Sequence, residues 1–309
     1  MSNKFQACIN QIIDKENLKV PSLISTIYGD SILHRGGSIS LSSLITIMEL
    51  FGFNERVVRT AIFRLVKKHW LSSEKLGRVS YYNITATSHQ LYLQAEKRIY
   101  NSQIQEWNGS WCLILLGNLD VKKRALLKKE LGWMGYASIS TNIMAYPRSE
   151  DERLQGLLSK YNITNEIVIF HSMIAPYQFS ITDQKLLELG WDIKSIRDNY
   201  TTYLDYFRDI AGLLEQHQPT PKQAFQIRTL LIHHYRRAIL KDPGLPLELL
   251  PIDWPFINAC NLTANIYKAI YELADQYFLS VARTMEGYLP VCAPAFNKRF
   301  SDLPFGVYE

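Results

Sequence analysis

The sequence predicts an α+β protein made of three successive domains. Three patterns predict this class: two short helices and a strand pair within residues 20–86, alternating strands and helices within residues 101–178, and helical periodicity from residue 182 onward. A length of 309 residues also suits two or three domains at roughly 100 to 200 residues each. We therefore expect domains at residues 1–100, 101–178 and 179–309.

The positive charge of the chain is concentrated in the first of these domains. Residues 54–82 hold seven Lys and Arg against two Asp and Glu, an excess equal to the net charge of +5 for the whole chain. A local basic window is the usual electrostatic footprint of a polyanion-binding surface. Basic residues on a solvated helix face would look the same, so charge alone leaves both interpretations open.

Two helices in this domain are joined by a tight turn. Residues Leu41 to Glu49 form a short amphipathic pattern, Gly52 is a natural helix terminator, and Asn54 is a favoured N-cap. In the second helix, the periodicity of the apolar residues predicts a buried stripe that consists of Val57, Val58, Ala61, Ile62 and Leu65. Its opposite face carries Arg56, Arg59, Thr60, Phe63 and Lys67. We expect Phe63 to lean against a neighbouring helix.

A strand pair follows the second helix. Leu71 to Leu76 and Val79 to Thr85 flank Gly77-Arg78, which predicts a hairpin with a basic tip. With Pro21 to Leu33 as a first helix, residues 20–86 predict an N-terminal winged helix-turn-helix, followed by a helical connector. Any amphipathic helix pair with surface arginines resembles the helix part of this pattern. The prediction therefore depends mainly on the hairpin and on the local excess of positive charge.

The middle domain reads as βαββαβ, the ferredoxin-like arrangement. The expected elements are strands at 111–117, 137–140, 142–146 and 166–171 and helices at 121–131 and 150–160, the first helix ending at Gly132. Such domains often pair through sheets or edges, so we expect a dimerisation module. An alternative is a metal-dependent nuclease with its ligand in the segment Gly117-Asn118-Leu119-Asp120, although Asp120 is as easily a helix N-cap.

The rest of the chain predicts a mainly helical C-terminal domain, with helices at 182–189, 193–215, 221–240 and 262–283. The enzyme motifs GxSxG, HExxH and GxxxxGK[ST] are missing, so we expect no enzyme, catalytic residue or cofactor. Neighbouring His233 and His234 point about 100° apart on a helix and predict no metal site. Four scattered cysteines and the lack of a signal sequence or a long apolar stretch predict a cytoplasmic protein without membrane contact.

Several phrases resemble one family. They are Ser22-Leu-Ile-Ser-Thr-Ile-Tyr-Gly-Asp30, His34-Arg-Gly-Gly37, Asn54 to Leu65, Leu231 to Arg237, and Lys241 to Pro251 followed by Asp253-Trp254. Together they closely resemble the phenylacetic acid degradation repressors, the PaaX family. The resemblance implies a homodimeric transcriptional repressor on the operator DNA of phenylacetate catabolic genes, released by phenylacetyl-coenzyme A. The chain departs from the family at Phe256, where glycine is usual.

Two sets of site residues follow. We expect DNA contacts from Arg56, Arg59, Thr60, Arg64, Lys67, Lys75 and Arg78, with arginine able to pair bidentately with guanine. The implied thioester effector needs basic groups for phosphates and an apolar pocket for its aryl group. The candidates are His233, Tyr235, Arg236, Arg237 and Trp254. The arginines could equally pair with acidic residues, and the aromatic residues could be core.

Overall fold

The computed structural model describes residues 2–101, 106–117, 119–148, 151–163, 166–173, 182–290, 292 and 299–300. The chain forms two compact units. The first contains residues 1–103, 200–240 and 256–309, and the second contains residues 104–199 and 241–255. These boundaries differ from the three consecutive domains that the sequence suggests, and the three ranges stay a prediction. Both units hold helices and sheets, so the α+β class is confirmed.

The N-terminal part of the first unit contains four α-helices before its hairpin: α1 (Ser2–Lys15), α2 (Val20–Ile27), α3 (Leu41–Glu49) and α4 (Glu55–Lys67). A π-helical turn, Tyr28–Ile32, and a 3-10 turn, Leu33–Arg35, follow α2. Strands β1 (Ser38–Ser40), β2 (Leu71–Leu76) and β3 (Val79–Ile84) form an antiparallel sheet in the order β1-β3-β2. This arrangement is compatible with the predicted winged helix-turn-helix.

Local sequence rules explain where α4 and the hairpin lie. The Asn54 side chain accepts the Val57 N–H at 3.1 Å and so caps the first turn of α4. Leu76 pairs with Val79, which leaves Gly77 and Arg78 as a two-residue turn. Gly77 has φ +61, a conformation that glycine adopts without steric cost. The hairpin therefore presents Arg78 at its tip.

The remainder of the first unit is mainly helical. It contains α5 (Ala86–Tyr100), most of α9 (Ile193–Leu214), α10 (Pro221–Ile239), α11 (Phe256–Val281), β8 (Arg283–Thr284) and β9 (Gly287–Tyr288). Helix α10 is buried along nearly its whole length and packs against α11, where the Phe225 and Phe278 rings stack at 5.6 Å between centroids. The helical character expected for the C-terminal region is confirmed.

The second unit contains the predicted ferredoxin-like arrangement. It consists of β4 (Trp111–Leu115), α6 (Val121–Trp133), β5 (Ala137–Ser140), β6 (Ile143–Tyr146), α7 (Asp151–Lys160), β7 (Val168–Ser172) and α8 (Asp183–Gly190). The sheet order is β5-β6-β4-β7 and all neighbouring strands are antiparallel. The expected end of α6 at Gly132 is wrong. Gly132 lies within the helix, and the positive φ that follows its end is at Gly135.

A cluster of buried charges joins distant segments of the first unit. Asp30 lies in the π-helical turn and is buried, as are Arg228 on α10 and Arg299 near the C-terminus. Arg228 Nε lies 3.1 Å from Asp30 Oδ2, and Arg299 Nη1 lies 3.2 Å from Asp30 Oδ1. The hydroxyls of Tyr100 and Tyr267 donate to the same Asp30 Oδ1 at 2.7 and 3.0 Å. Asp30 is thus fully compensated inside the core, as a buried carboxylate must be.

The outer layer of this cluster involves a second carboxylate pair. Arg228 Nη1 donates to Asp275 Oδ1 at 2.7 Å, and Arg35 also donates to Asp275. Arg299 Nη2 donates to Glu96 at 3.1 Å, and the hydrogen bond from His34 and the nearby positive charge of Arg299 lower the pKa of Glu96, although burial alone would raise it. Sequence reasoning missed this cluster, because its members are up to 269 residues apart.

Candidate nucleic-acid interface

Helix α4 presents a basic face to solvent. Its inner face is formed by Val58, Ala61, Ile62 and Leu65, which are buried. All seven residues predicted to contact DNA are exposed: Arg56, Arg59, Thr60, Arg64 and Lys67 on α4, Lys75 on β2, and Arg78 in the hairpin turn. The fold therefore leaves six cations and one threonine accessible to a polyanion, on one helix and on the hairpin that follows it.

Two of these side chains are already engaged with their own helix. An Arg59 nitrogen lies 2.6 Å from Glu55 Oε1 one turn earlier, and both side chains are more than half exposed. The Thr60 hydroxyl donates to the Arg56 carbonyl at 2.9 Å. An exposed ion pair between residues four apart contributes only about 0.3–0.5 kcal/mol, so Arg59 can leave Glu55 for a phosphate or a base at little cost.

Two apolar residues of α4 lie where the sequence analysis did not expect them. Val57 was assigned to the buried stripe, but 40% of its surface is exposed. The other four residues of the predicted stripe, Val58, Ala61, Ile62 and Leu65, are buried as expected, so the stripe is narrower than predicted. Phe63 was expected to lean against a neighbouring helix, but 67% of its surface is exposed. It lies one helical turn from Arg59 and Lys67 and belongs to the solvent face.

The hairpin combines charge with exposed apolar surface. Lys75 and Arg78 are exposed, and so are Leu76 and Val79 on either side of the turn. Glu74 lies directly before Lys75 on β2 and accepts a hydrogen bond at 3.4 Å from the side chain of Asn83 on the neighbouring strand β3. The tip of the hairpin therefore has a basic character, with its one nearby carboxylate turned toward the sheet.

Two of the five predicted effector residues are buried in the core of the first unit. His233 Nδ1 lies 2.9 Å from the Thr26 hydroxyl, and burial lowers the pKa of His233 to about 2. The hydroxyl of Tyr235 lies 3.1 Å from Cys260 Sγ. Burial also lowers the pKa of the adjacent His234, to about 4. These histidines are held neutral at pH 7, which gives them no attraction for a phosphate.

The remaining predicted effector residues have separate surroundings. Arg236 Nη2 donates to the Ser22 hydroxyl at 3.0 Å, and Arg237 forms an ion pair with Glu16 at 2.8 Å. Trp254 is buried and belongs to the second unit, whereas the other four lie on α10 in the first. The structure does not bring the five together within one unit, and their role in effector binding stays a prediction.

The segment considered for a nuclease ligand has a structural role in its described part. Asp120 Oδ1 accepts the N–H groups of Lys122 and Lys123 at 2.8 and 3.0 Å and caps α6. Asn118 lies outside the described residues. Among the described residues, no cluster of three His, Cys, Asp or Glu side chains is placed to hold a metal ion. In the same part of the chain, no helix has the length and apolar character needed to cross a membrane.

Comparisons with known proteins relate nearly the whole chain to one family. Residues 19–88 match the PaaX-like protein family, residues 104–185 the PaaX protein central Cas2-like domain, and residues 191–280 the PaaX-like protein C-terminal domain. The transcriptional repressor PaaX of Escherichia coli is 35% identical over 303 residues, covering 97% of this chain and 96% of that protein. That relative is a regulator rather than an enzyme, in agreement with the prediction for this chain.

The solved structures that match include an uncharacterised protein of Mycobacterium tuberculosis, with 18% identity and a TM-score of 0.47 over 76% of this chain and 88% of that one. The sequence identity to the bacterial repressor and the three matched domains together cover nearly the whole chain. The chain belongs to the PaaX family of transcriptional regulators.

Proposed function

We propose that this protein is a DNA-binding repressor of phenylacetate catabolic genes that is released from its operator by an aryl-coenzyme A thioester. The observation that carries the proposal is the exposed basic face of α4 and the hairpin, in a chain that is 35% identical to a transcriptional repressor. Within residues 54–82 the only carboxylates are Glu55, paired with Arg59, and Glu74, bonded to Asn83. The face therefore suits a polyanion.

Helix α4 is the element that we assign to the major groove. In this geometry the N-terminal part of a recognition helix reads base edges, so Arg56, Arg59 and Thr60 contact bases. Lys67 lies on the same face near the C-terminal end of the helix. The exposed ring of Phe63 adds an apolar contact that suits a thymine methyl group. Arg64, Lys75 and Arg78 are assigned to phosphates or to the minor groove.

The dimer that a two-fold operator requires is assigned to the second unit. Strand β7 lies at an edge of its sheet, and the side chains of Val168 and Phe170 on it are about half exposed. An exposed apolar edge strand is a template for pairing with a second chain. Replacing Phe170 by Lys is expected to lower the solution mass to that of a monomer at micromolar concentration. Val121→Lys, on the exposed face of α6, is the control that leaves the dimer intact.

Release from the operator requires that the effector binds the DNA-free form of the protein more tightly than the DNA-bound form. A thioester that binds the DNA-free form about 100-fold more tightly than the DNA-bound form shifts the equilibrium by about 2.7 kcal/mol. Equal affinity for both forms would release nothing, however tight the binding. The coenzyme A moiety supplies phosphates for basic side chains and the aryl group supplies apolar surface.

The decisive experiment combines DNA binding with effector titration. Purified protein is titrated into duplexes from the promoter regions of a phenylacetate catabolic gene cluster and into scrambled duplexes of equal composition. We expect tighter binding to the promoter duplexes and release by phenylacetyl-coenzyme A, but not by phenylacetate or coenzyme A. Equal affinity for both duplexes would overturn the repressor proposal. Release by the free acid alone would overturn the choice of effector.

A further inference from the structure

A groove borders the exposed face of α4. It lies between the segment Lys19–Ser22, where α2 begins, and residues Asn54 to Arg64 of α4 and its cap. Its volume is about 820 Å³, which falls within the range of about 300–1,000 Å³ that is typical of small-molecule sites. The groove is formed entirely by the first unit.

The walls of the groove are mainly apolar. They include Val20, Pro21, Val57 and Ala61. Val57 is the residue whose exposure contradicts the sequence prediction, and its uncovered surface lines this groove. An exposed valine beside the cations of α4 provides apolar contact surface to whatever fills the groove. The groove therefore offers a place for an apolar or aromatic group.

The rim of the groove is basic. Lys19, Arg56 and Arg64 line it, and within the described part of the chain none of the three forms an ion pair. The acidic residues nearest to them in sequence, Glu16 and Glu55, are instead paired with Arg237 and Arg59. Uncompensated cations around a concave apolar surface focus a positive potential into it. The hydroxyls of Ser22 and Thr60 add polar groups to the same lining.

From this combination we infer that the groove binds a small amphiphilic anion, with its apolar group against Val57 and Ala61 and its anionic groups on the basic rim. An aryl thioester of coenzyme A has this chemistry, because it combines an apolar ring with phosphate groups. The choice of this ligand rests on the proposed function. Arg56, Thr60 and Arg64 line the groove and are also assigned to DNA. The ligand and the operator therefore compete directly for the same side chains, and no conformational signal is needed.

Direct competition has a quantitative signature. If ligand and operator exclude each other, the apparent operator Kd rises in proportion to one plus the ligand concentration divided by its Kd. A ligand at ten times its Kd thus weakens operator binding about elevenfold, and at one hundred times about a hundredfold. An effector bound elsewhere forms a ternary complex, so the apparent Kd would reach a plateau.

The full-length protein is titrated, without DNA, with phenylacetyl-coenzyme A and with the fluorescent aryl sulfonate 1-anilinonaphthalene-8-sulfonate. We expect Lys19→Ala to weaken both about threefold to tenfold, since one charged contact is lost. Val57→Trp fills the groove and is expected to weaken both more than tenfold. The controls are Lys15→Ala, at the end of α1, and Leu91→Trp, on the exposed side of α5, which should leave both affinities unchanged.

The outcomes separate this inference from the proposed function. A plateau in the apparent operator Kd would overturn the groove as the binding site, even if phenylacetyl-coenzyme A releases the operator. Ligand affinities that Lys19→Ala and Val57→Trp leave unchanged would overturn it as well. Displacement of the sulfonate by operator, combined with no binding of phenylacetyl-coenzyme A, would support the groove and overturn the choice of effector. An apparent operator Kd that rises linearly with the concentration of either probe, and affinities for both probes that both variants weaken, would support the groove and the proposed function together.

Discussion

Arginine has opposite roles in two regions of the first unit. On α4, Arg56 and Arg64 are exposed and form no ion pair within the described residues. In the core, Arg228 is completely buried between Asp30 and Asp275, and Arg299 is buried against Asp30 and Glu96. A guanidinium removed from water needs partners on every side, whereas one left in water keeps its donors available for a ligand. The number of protein partners, rather than the residue type, separates the structural arginines from those that we propose to bind a ligand.

The largest effect on stability is expected from removing a buried arginine. Arg228→Ala removes one of the two arginine partners from Asp30 and from Asp275, and it should lower the free energy of unfolding by about 3–5 kcal/mol. Urea unfolding followed by circular dichroism measures it. Arg208→Ala is the matched control, because the ion pair that Arg208 forms with Asp205, at 3.8 Å, is exposed. A loss below 1 kcal/mol for Arg228→Ala would contradict the structural role.

The buried histidines provide a test by pH. Burial lowers the pKa of His233 to about 2 and that of His234 to about 4, from 6.5. The unfolded chain therefore binds protons that the folded chain does not, and stability is complete above about pH 6.5 and falls below it. Between pH 7 and pH 5 each histidine should cost about 2 kcal/mol of unfolding free energy.

The measurement compares urea unfolding at the two pH values for the natural protein and for His234→Gln. Other groups titrate in both proteins, so only the difference in pH dependence reports on His234. An equal loss in both proteins would show that His234 is not held neutral by the fold.

The exposed side of the comparison predicts a smaller effect, on binding instead of stability. Arg59→Ala should cost about 1–3 kcal/mol of operator affinity and relax the preference at one base position. Lys97→Ala, exposed on α5 and outside the predicted interface, is the control. Operator titrations on duplexes with single substitutions measure both quantities. Unchanged affinity and unchanged sequence preference would remove Arg59 from the interface.

The smallest effect concerns the exposed Arg59 and Glu55 pair itself. Glu55→Gln frees Arg59 and should strengthen operator binding about twofold, the value of an exposed pair of about 0.3–0.5 kcal/mol. Glu74→Gln removes one negative charge from the hairpin without touching Arg59, and it corrects for the change in net charge. Equal gains in both variants would mean that Glu55 does not restrain Arg59.

Local rules predicted much of this fold. Helix α3 has the predicted bounds, and Asn54 caps α4 as expected, because capping and amphipathic periodicity depend on neighbouring residues. The order of strands and helices in the second unit was predicted for the same reason. The exposure of Val57 was not, because it depends on how closely α2 approaches α4, and helix periodicity does not contain that information.

The candidate site was predictable to a similar degree. An outward basic stripe on one helix is visible in the sequence, and all seven DNA candidates are exposed. The effector candidates were chosen for their residue types alone. The environment of His233 or Arg236 is determined by Thr26 and Ser22, more than 200 residues earlier in the chain. Contacts at that distance follow from tertiary packing, which single-sequence patterns do not reveal.

The position of Arg299 has a consequence for how the protein is made. A chain emerging from the ribosome completes residues 1–103 long before Arg228 and Arg299, the partners of Asp30 in the core. Asp30 therefore gains both arginine partners only after the second unit and nearly all of the C-terminal helices have been synthesised. A product truncated before Arg228 would keep helix α4 and Asp30 but would lack both of the cations that compensate this carboxylate in the core.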